Sequence, residues 1–342
     1  MKIIVPAALL AAFCCLFSCS NQDKSEASVF FLKGNIQFKE KQFAEAVRLY
    51  DEAIRKYPSL TDAYLNKGLA LVELEKPELA YDVFTAALTT EDGFHEARLA
   101  RAEAALRLGR LNQAEDDLAL LASVYRDSTR FYLIRGNLMV DRNRKEAAYA
   151  DFDKAVVLNG NNVEALVNRG TLLFEDGKIK EAKEDFYKAL SINPVQKEAL
   201  NNMGMVVMRE GNPGKALEYF DKVLIRIPNE AFTLNNKGEA LLKSGRPEEA
   251  LKALNRSLEI RPDNGHTLKN LGLYYLEQKD YAKASGFLDR AVTLEQHVPG
   301  LHGLAGKAHW HLNDLAGACK IWAVGKILKD SLAIAESGQY CK

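Results

Sequence analysis

The chain repeats itself every 34 residues, and this period constrains its fold more than any other feature. Numbering each copy from position 1 at Ala27 places glycine at position 8 in eight copies, and Ala102 takes that place in the third. Position 20 is alanine in every copy, and position 24 is always large and apolar. Nine copies run over residues 27–332 without an insertion or a deletion. A fixed period of this length indicates a repeat architecture.

Each copy contains two helical segments, because its apolar residues recur at helical spacing on either side of one break. At position 15 six copies carry glycine or asparagine, residues that tolerate the left-handed conformation ending a helix. These are Gly109, Asn143, Gly177, Gly211, Gly245 and Asn313. Proline, which cannot continue a helix, closes four copies at position 32, namely Pro58, Pro194, Pro228 and Pro262. We therefore predict an antiparallel helix pair in each copy, with helices called A and B.

The period, together with the small residue at position 8, the alanine at 20 and the aromatic residue or leucine at 24, resembles the tetratricopeptide repeat. The resemblance covers residues 27–332 and implies an all-α fold, an α-solenoid in which nine helix pairs form a right-handed superhelix. Position 28 is apolar from Ile54 to Val292 and becomes Lys326 in the last copy. We therefore expect the stack to end there, with residues 333–342 as a short C-terminal cap.

A signal sequence is predicted ahead of the repeats. The apolar run from Ile3 to Phe17 follows Lys2 and precedes a polar stretch, and it is too short to span a bilayer. Residues 1–18 therefore have the form of a secretory signal. The alternative for the cysteine that follows is that it is incidental to an ordinary cleaved signal.

The run ends in the letters LFSC at Cys19, which resemble the lipobox of bacterial lipoproteins. The resemblance implies lipidation of Cys19 and a polar tether over residues 19–26. Because Ser20 rather than aspartate follows, it also implies anchoring in the outer membrane of the bacterial cell envelope, facing either the periplasm or the surface. Stable anchoring needs more than one acyl chain.

Charge and cysteine content add little about partners. The chain has 46 basic and 46 acidic residues, and no block of like charge indicates binding to nucleic acid. After Cys19 only Cys319 and Cys341 remain. A disulfide and two free thiols are both open for this pair.

No enzymatic activity is predicted. The sequence lacks a nucleophile elbow, a Walker loop, a dinucleotide fingerprint and a zinc-protease helix, so we expect no cofactor and no small-molecule substrate. Four histidines fall between His297 and His311. We expect no metal site there, because His302 and His309 occupy core positions and no pair has zinc-ligand spacing on one helix.

Basic residues at position 7 are predicted to pair within the scaffold. The three copies with arginine at position 7 are also those with aspartate at position 23. This matching favours ion pairs over a ladder that binds a polyanion, and the predicted pairs are Arg101 with Asp117, Arg135 with Asp151 and Arg169 with Asp185.

By the same resemblance, positions 2, 5, 6, 9, 12 and 13 of the A helices line a concave groove. An amide offers both donors and an acceptor, which match a peptide backbone. The polar groove candidates are Asn66, Asn168, Asn202, Asn236 and Asn270 at position 6, with Asn201, Asn235 and Lys269 at position 5. The apolar candidates at position 5 are Phe31, Leu65, Leu99, Leu133 and Val167. Position 6 asparagines are explained equally well by bonds within the scaffold, whereas Asn201 and Asn235 are expected to contact a ligand.

The groove is not expected to grip a free carboxylate. The family's carboxylate clamp needs basic residues at positions 2 and 6 of its third repeat, and this chain offers Glu96 with Ala100, or Glu198 with Asn202. We therefore predict a scaffold that holds an extended peptide or partner protein in envelope assembly, secretion or wall remodelling. The alternatives are a spacer that binds through its convex face or its ends, and an accessory subunit of a glycan-binding or glycan-processing complex.

Overall fold

A computed structural model describes residues 7–294 and 298–341, with side chains from residue 22 onward. This part of the chain contains nineteen α-helices and no β-strand. The helices are α1 (Ala7–Lys39), α2 (Phe43–Lys56), α3 (Thr61–Glu73), α4 (Pro77–Thr90), α5 (His95–Arg107), α6 (Leu111–Leu121), α7 (Thr129–Asp141), α8 (Lys145–Leu158), α9 (Val163–Glu175), α10 (Ile179–Ile192), α11 (Lys197–Arg209), α12 (Pro213–Arg226), α13 (Ala231–Lys243), α14 (Pro247–Ile260), α15 (Gly265–Glu277), α16 (Tyr281–Leu294), α17 (Leu301–His311), α18 (Leu315–Ile327) and α19 (Ser331–Tyr340). The fold is an all-α helical-repeat solenoid, as the sequence predicts.

The N-terminal predictions fall largely outside the described residues. Residues 1–6 and the side chains up to residue 21, including that of Cys19, are among those not described. Residues 19–26, the expected tether, continue the helical backbone of α1. Within the described residues no helix is both long enough and apolar enough to cross a membrane.

The chain forms two compact units, Met1–Ala165 and Leu166–Lys342. In the first unit each odd-numbered helix from α1 to α7 packs against the even-numbered helix that follows it, and the second unit repeats this arrangement up to α17 and α18. Odd-numbered helices of successive repeats also adjoin each other within each unit. The odd-numbered helices are therefore the predicted A helices. We call the surface that their positions 2, 5, 6, 9, 12 and 13 form in each unit its A face.

Helix A lies close to helix B at position 8, because position 24 fills the space that a side chain would occupy there. A Cβ atom added to Gly204 would lie 2.4 Å from Phe220, and one added to Gly68 would lie 2.2 Å from Phe84. All nine alanines at position 20 are fully buried beside this crossing. The glycine column therefore reflects steric exclusion, which accounts for a residue that costs about 1 kcal/mol in a helix interior.

The turn between A and B has the same backbone in every repeat. Position 15 has a positive φ in all nine copies, between 55° and 79°. The four glycines and two asparagines were expected from the sequence, but Lys41, Glu75 and Lys279 adopt the left-handed conformation as well. Tertiary packing of the two helices thus imposes this conformation on residues that disfavour it.

Helix α19 covers the end of the second unit. It begins at Ser331, inside the ninth copy, and packs against α17 and α18. Asp330 caps it by accepting from the backbone N–H groups of Leu332 and Ala333. A disulfide joins Cys319 on α18 to Cys341, with 5.7 Å between the two Cα atoms. The pairing that the sequence left open is thus present in this fold.

Candidate binding site

Position 6 asparagines connect successive A helices. In the first unit the side-chain N–H of Asn66 donates to Asn35 Oδ1 at 2.8 Å, and the Tyr50 hydroxyl donates to the same oxygen at 2.8 Å. In the second unit Asn202 donates to Thr171 Oγ1 at 2.9 Å. Asn35 and Thr171 both occupy position 9 of the preceding repeat. These amides therefore fulfil the scaffold role, although each uses only part of its hydrogen-bonding capacity there.

Asn235 and Asn270 do not belong to a ligand-binding surface. Asn235 is 5% exposed and Asn270 is 2% exposed, and Asn270 donates to Asn235 Oδ1 at 3.0 Å. Asn235 in turn donates to Asn236 Oδ1 at 3.2 Å. The expectation that Asn235 touches a ligand is corrected by this burial, since buried amides must satisfy each other when water cannot reach them.

Asn201 differs from Asn235 although both occupy position 5. Asn201 is only partly buried, and its Oδ1 accepts no hydrogen bond within the described residues. The equivalent oxygen of Asn235 accepts from Asn270. Asn201 Oδ1 is therefore a buried acceptor without a partner in the described part of the chain, whereas the Asn201 side chain as a whole is partly exposed and stays a candidate for ligand contact together with the partly exposed Asn202 and Asn236.

The apolar residues predicted at position 5 are buried in part between successive A helices: Leu99, Leu133 and Val167 are buried, whereas Phe31 and Leu65 are partly exposed. Leu99 is 3% exposed and packs with Phe131 and Ile134 of the next A helix. Leu133 and Val167 are each 5% exposed, while Phe31 packs on Tyr50 and Leu65 packs against the buried cluster that contains Phe84 and Ala100. Burying these side chains between A helices gains about 25 cal/mol per Å², and Leu133 in addition lines a pocket on the A face of the first unit.

The remaining polar candidates are Asn168 and Lys269. Asn168 on α9 is partly exposed. Lys269 on α15 donates from Nζ to the carbonyl oxygen of Pro299 at 3.4 Å. Burial lowers the pKa of Lys269 below that of a free lysine, an effect that Glu239 partly offsets. Lys269 is thus a partly desolvated ammonium group on the A face of the second unit.

The predicted arginine pairs are confirmed. Each arginine donates from Nε and Nη2 to the two carboxylate oxygens of its aspartate, at distances between 2.6 and 2.8 Å. The aspartates are at most 6% exposed, and such bidentate pairing combines geometric specificity with charge. The position 7 column therefore belongs to the scaffold.

Two lysine pairs were missed by the sequence reasoning. Lys67 pairs with Asp51 and Lys237 with Asp221, both at 2.6 Å. Each aspartate occupies position 25 of the preceding repeat. The signal is present in the sequence, but it links positions 7 and 25 of neighbouring repeats rather than two positions of one repeat.

The histidines near the C-terminus form no metal centre in the described part of the chain, where no cluster of three or more potential ligands occurs. His297 lies outside the described residues. His302 is buried, at 1% exposure. His309 was expected in the core, but it is partly exposed and contacts Asp314 through Nδ1 at 2.8 Å and Asp289 through Nε2 at 3.1 Å. His309 therefore makes polar contacts with two carboxylates instead of packing in the apolar core.

A pocket of about 500 Å³ opens on the A face of the first unit. Leu106, Leu133 and Ile134 contribute apolar surface, and Glu103, Arg107, Arg130 and Glu164 contribute charge. Of its lining, the sequence predicted Leu133 as a groove residue but not the charged residues, because these come from positions 9 and 13 of one repeat and position 2 of the next two.

Comparisons with known proteins give a consistent result. Family models described as tetratricopeptide repeat match residues 31–96, 163–196, 198–263 and 229–297. The human tetratricopeptide repeat protein 13 is 33% identical over 131 residues, which are 35% of this chain. The match spans only 15% of the human protein.

Solved structures show the same fold. The Cut9–Hcn1 hetero-tetramer of APC/C matches with a TM-score of 0.66 at 14% identity, covering 92% of this chain and 76% of that one. A tetratricopeptide repeat protein from Parabacteroides merdae matches with a TM-score of 0.56 at 17% identity, covering 72% and 98%. The pilus biogenesis factor PilW matches with a TM-score of 0.51 at 22% identity, covering 58% and 92%.

Proposed function

We propose that this chain, which belongs to the tetratricopeptide repeat family, binds an extended segment of a partner protein on the A face and does so at the bacterial envelope. Proteins of this family are generally non-catalytic scaffolds that bind protein partners. The proposal assigns this chain no reaction of its own. It assigns the chain a partner that is held by main-chain hydrogen bonds.

The observation that carries the proposal is the unsatisfied Asn201 Oδ1. An unmade hydrogen bond of a buried acceptor costs about 1–3 kcal/mol, and the equivalent oxygen of Asn235 avoids this cost by accepting from Asn270. Because this oxygen is buried, a backbone N–H of a bound segment would supply the missing donor after the partly exposed Asn201 side chain rotates toward the A face. Asn202 and Asn236 flank Asn201 on the same face and have further capacity to bond a peptide backbone.

The envelope location is supported by two features. The signal-like N-terminus with Cys19 has the pattern of a lipid-anchored protein, and two acyl chains would make the anchoring stable. The disulfide between Cys319 and Cys341 suits an oxidising compartment, since cytosolic thiols are kept reduced. PilW, a type IV pilus biogenesis factor with this fold, is one precedent for an assembly role.

The test is a triple Asn201→Ala, Asn202→Ala and Asn236→Ala variant of the full-length chain. Partners crosslinked and captured from solubilised membranes should fall to background, while the helical circular dichroism is retained. Asn255→Ala, which changes an exposed asparagine on the B helix α14, is the matched control and should capture partners normally. An unchanged partner set in the triple variant would refute binding at these amides and favour the spacer alternative.

Membrane attachment is tested separately with Cys19→Ala. The variant should lose incorporation of a labelled fatty acid and leave the membrane fraction. Retained acylation would show that Cys19 is not the lipid site.

A further inference from the structure

The A-face pocket of the first unit has an apolar floor and a charged rim, and the charged residues of the rim differ in whether they form ion pairs with each other. Leu133 and Ile134 are 5% and 4% exposed and form the floor together with Leu106. Glu103, Arg107, Arg130 and Glu164 surround it. The four charges cancel, so the class of occupant depends on which of them are already paired.

The two arginines are paired with Glu103. Arg130 Nη2 donates to Glu103 Oε2 at 2.7 Å, and Arg107 Nη2 donates to Glu103 Oε1 at 3.2 Å. Both carboxylate oxygens of Glu103 are therefore engaged. An anionic ligand would have to compete with Glu103 for either guanidinium group.

Among the described residues Glu164 lacks the close ion pairs that Glu103 makes: Arg107, which is bonded to Glu103, attracts it only through space. The Asn137 side chain hydrogen-bonds to it, but no lysine or arginine forms an ion pair with it. The Glu164 side chain is exposed to solvent. The protein atoms around the pocket nevertheless remove part of the water that would otherwise surround its carboxylate. This desolvation, together with the charge of Glu103, outweighs the opposing effects of Asn137 and Arg107 and raises the pKa of Glu164 above its usual value.

We propose that this pocket binds a lysine or arginine side chain of the partner segment, with its aliphatic stem on Leu106, Leu133 and Ile134 and its cation facing Glu164. Long basic side chains bury their methylene groups while their charge stays near a polar rim, and a charge-assisted hydrogen bond to a carboxylate is stronger than a neutral one. An apolar occupant would further desolvate Glu164 without pairing it. An acidic occupant would face the carboxylate directly. The proposal rests on the proposed function, since it names one residue type in the bound segment.

Selection of random peptides displayed on phage tests the proposal with the intact protein. The wild-type protein should enrich peptides with lysine or arginine at one fixed place. Glu164→Gln should still select peptides but lose that enrichment. Glu218→Gln, which changes an exposed glutamate on the B helix α12, is the matched control and should keep it.

A selected peptide and its analogue with norleucine in place of the basic residue provide the quantitative measurement. Fluorescence polarisation should show about tenfold weaker binding of the analogue to the wild-type protein, as expected for a charge pair worth about 1.4 kcal/mol. Glu164→Gln should bind the two peptides alike. Because the pKa of Glu164 is raised, the wild-type preference should decline as the pH falls through that pKa, whereas norleucine binding should stay constant.

The outcomes separate this proposal from the proposed function. If the wild-type protein selects peptides without basic enrichment, or if the enrichment survives Glu164→Gln, the pocket assignment is wrong and groove binding stands. If the wild-type protein selects no peptide at all, segment binding itself fails, and the pocket assignment fails with it.

Discussion

At the scale of single residues, neighbours in space decide what a polar side chain does in this repeat. Asn201 and Asn235 have the same repeat position, but Asn235 is buried against Asn270 and Asn201 keeps an unsatisfied oxygen. His309 likewise contacts Asp314 and Asp289 rather than apolar core. Residue type alone does not distinguish these outcomes.

His309 is expected to make stability depend on pH. Burial by itself would lower the pKa of His309, but hydrogen bonds to Asp314 and Asp289 outweigh it and raise the pKa above 6.5. A raised pKa in the folded state stabilises the fold below the unfolded-state pKa of about 6.5, and that stabilisation is lost as the pH rises through the folded-state pKa. Thermal unfolding of His309→Gln should therefore show a larger loss of stability at acidic than at alkaline pH.

His311 provides the control of opposite sign. Burial and the charge of Lys307 lower its pKa, so any stability linked to it is present at high pH and is lost as the pH falls. The loss of stability in His311→Gln should accordingly be no larger at acidic pH. An equal effect of His309→Gln at both pH values would contradict the role assigned to its two aspartates.

At the scale of the helix pair, the close approach at position 8 recurs in the eight copies with glycine there, and the left-handed residue at position 15 recurs in all nine. The added Cβ at Gly204 would lie 2.4 Å from Phe220, so the crossing of A and B excludes larger residues there. The turn then requires a positive φ whichever residue occupies it, including Lys279 at 60°. The packing of the helix pair thus forces a few non-glycine residues, such as Lys279, into a strained backbone conformation.

Replacing Lys279 with glycine is expected to stabilise the chain. A non-glycine residue in the left-handed region costs about 1–2 kcal/mol, and glycine adopts it freely. Part of this gain is offset by the greater entropy of glycine in the unfolded chain, so we expect about 1 kcal/mol in urea denaturation.

The reverse change, Gly211→Ala, should cost about 1 kcal/mol. Gly211 has a φ of 79° and nothing within 4 Å of an added Cβ, so its effect reports backbone conformation alone. Opposite signs for the two variants would support the assignment. A destabilised Lys279→Gly would oppose it.

At the scale of the whole molecule, the C-terminal end of the second unit is closed by a helix and a covalent bond. Tyr340 of α19 lies over Trp310 and Trp322, with ring centroids 4.7 and 6.0 Å apart. Terminal repeats of a solenoid have a neighbour on one side only and depend on such capping. The disulfide closes a loop with a sequence separation of 22.

Removal of the disulfide is expected to destabilise the second unit. A Cys319→Ser, Cys341→Ser variant should lose about 3 kcal/mol, the chain-entropy value for a loop of this size, and hydrogen exchange should quicken first in α19. Dithiothreitol should lower the melting temperature of the wild-type protein and leave that of the variant unchanged. An equal shift in both proteins would show that the reductant acts elsewhere.

Much of this architecture could be predicted because its determinants lie within one repeat. The glycine, alanine and aromatic columns, the prolines after the B helices and the Arg101–Asp117 pair each follow from spacing inside 34 residues. Position 15 was predicted only where glycine or asparagine marks it. Lys41 and Glu75 adopt the same conformation without any local signal.

The candidate site was predicted less well, because it lies between repeats. The amino-acid sequence by itself determined the helix pairs, their number and the column of amides, since side-chain size and helical spacing set these locally. Only the tertiary structure decided that Leu99 is buried between A helices, that Lys67 pairs with Asp51, and that Glu164 lies at a pocket while the nearby Arg107 is bonded to Glu103. These outcomes depend on which residues of neighbouring repeats come close together in space. Burial and charge pairing are set by those distances, which the spacing along one repeat does not give.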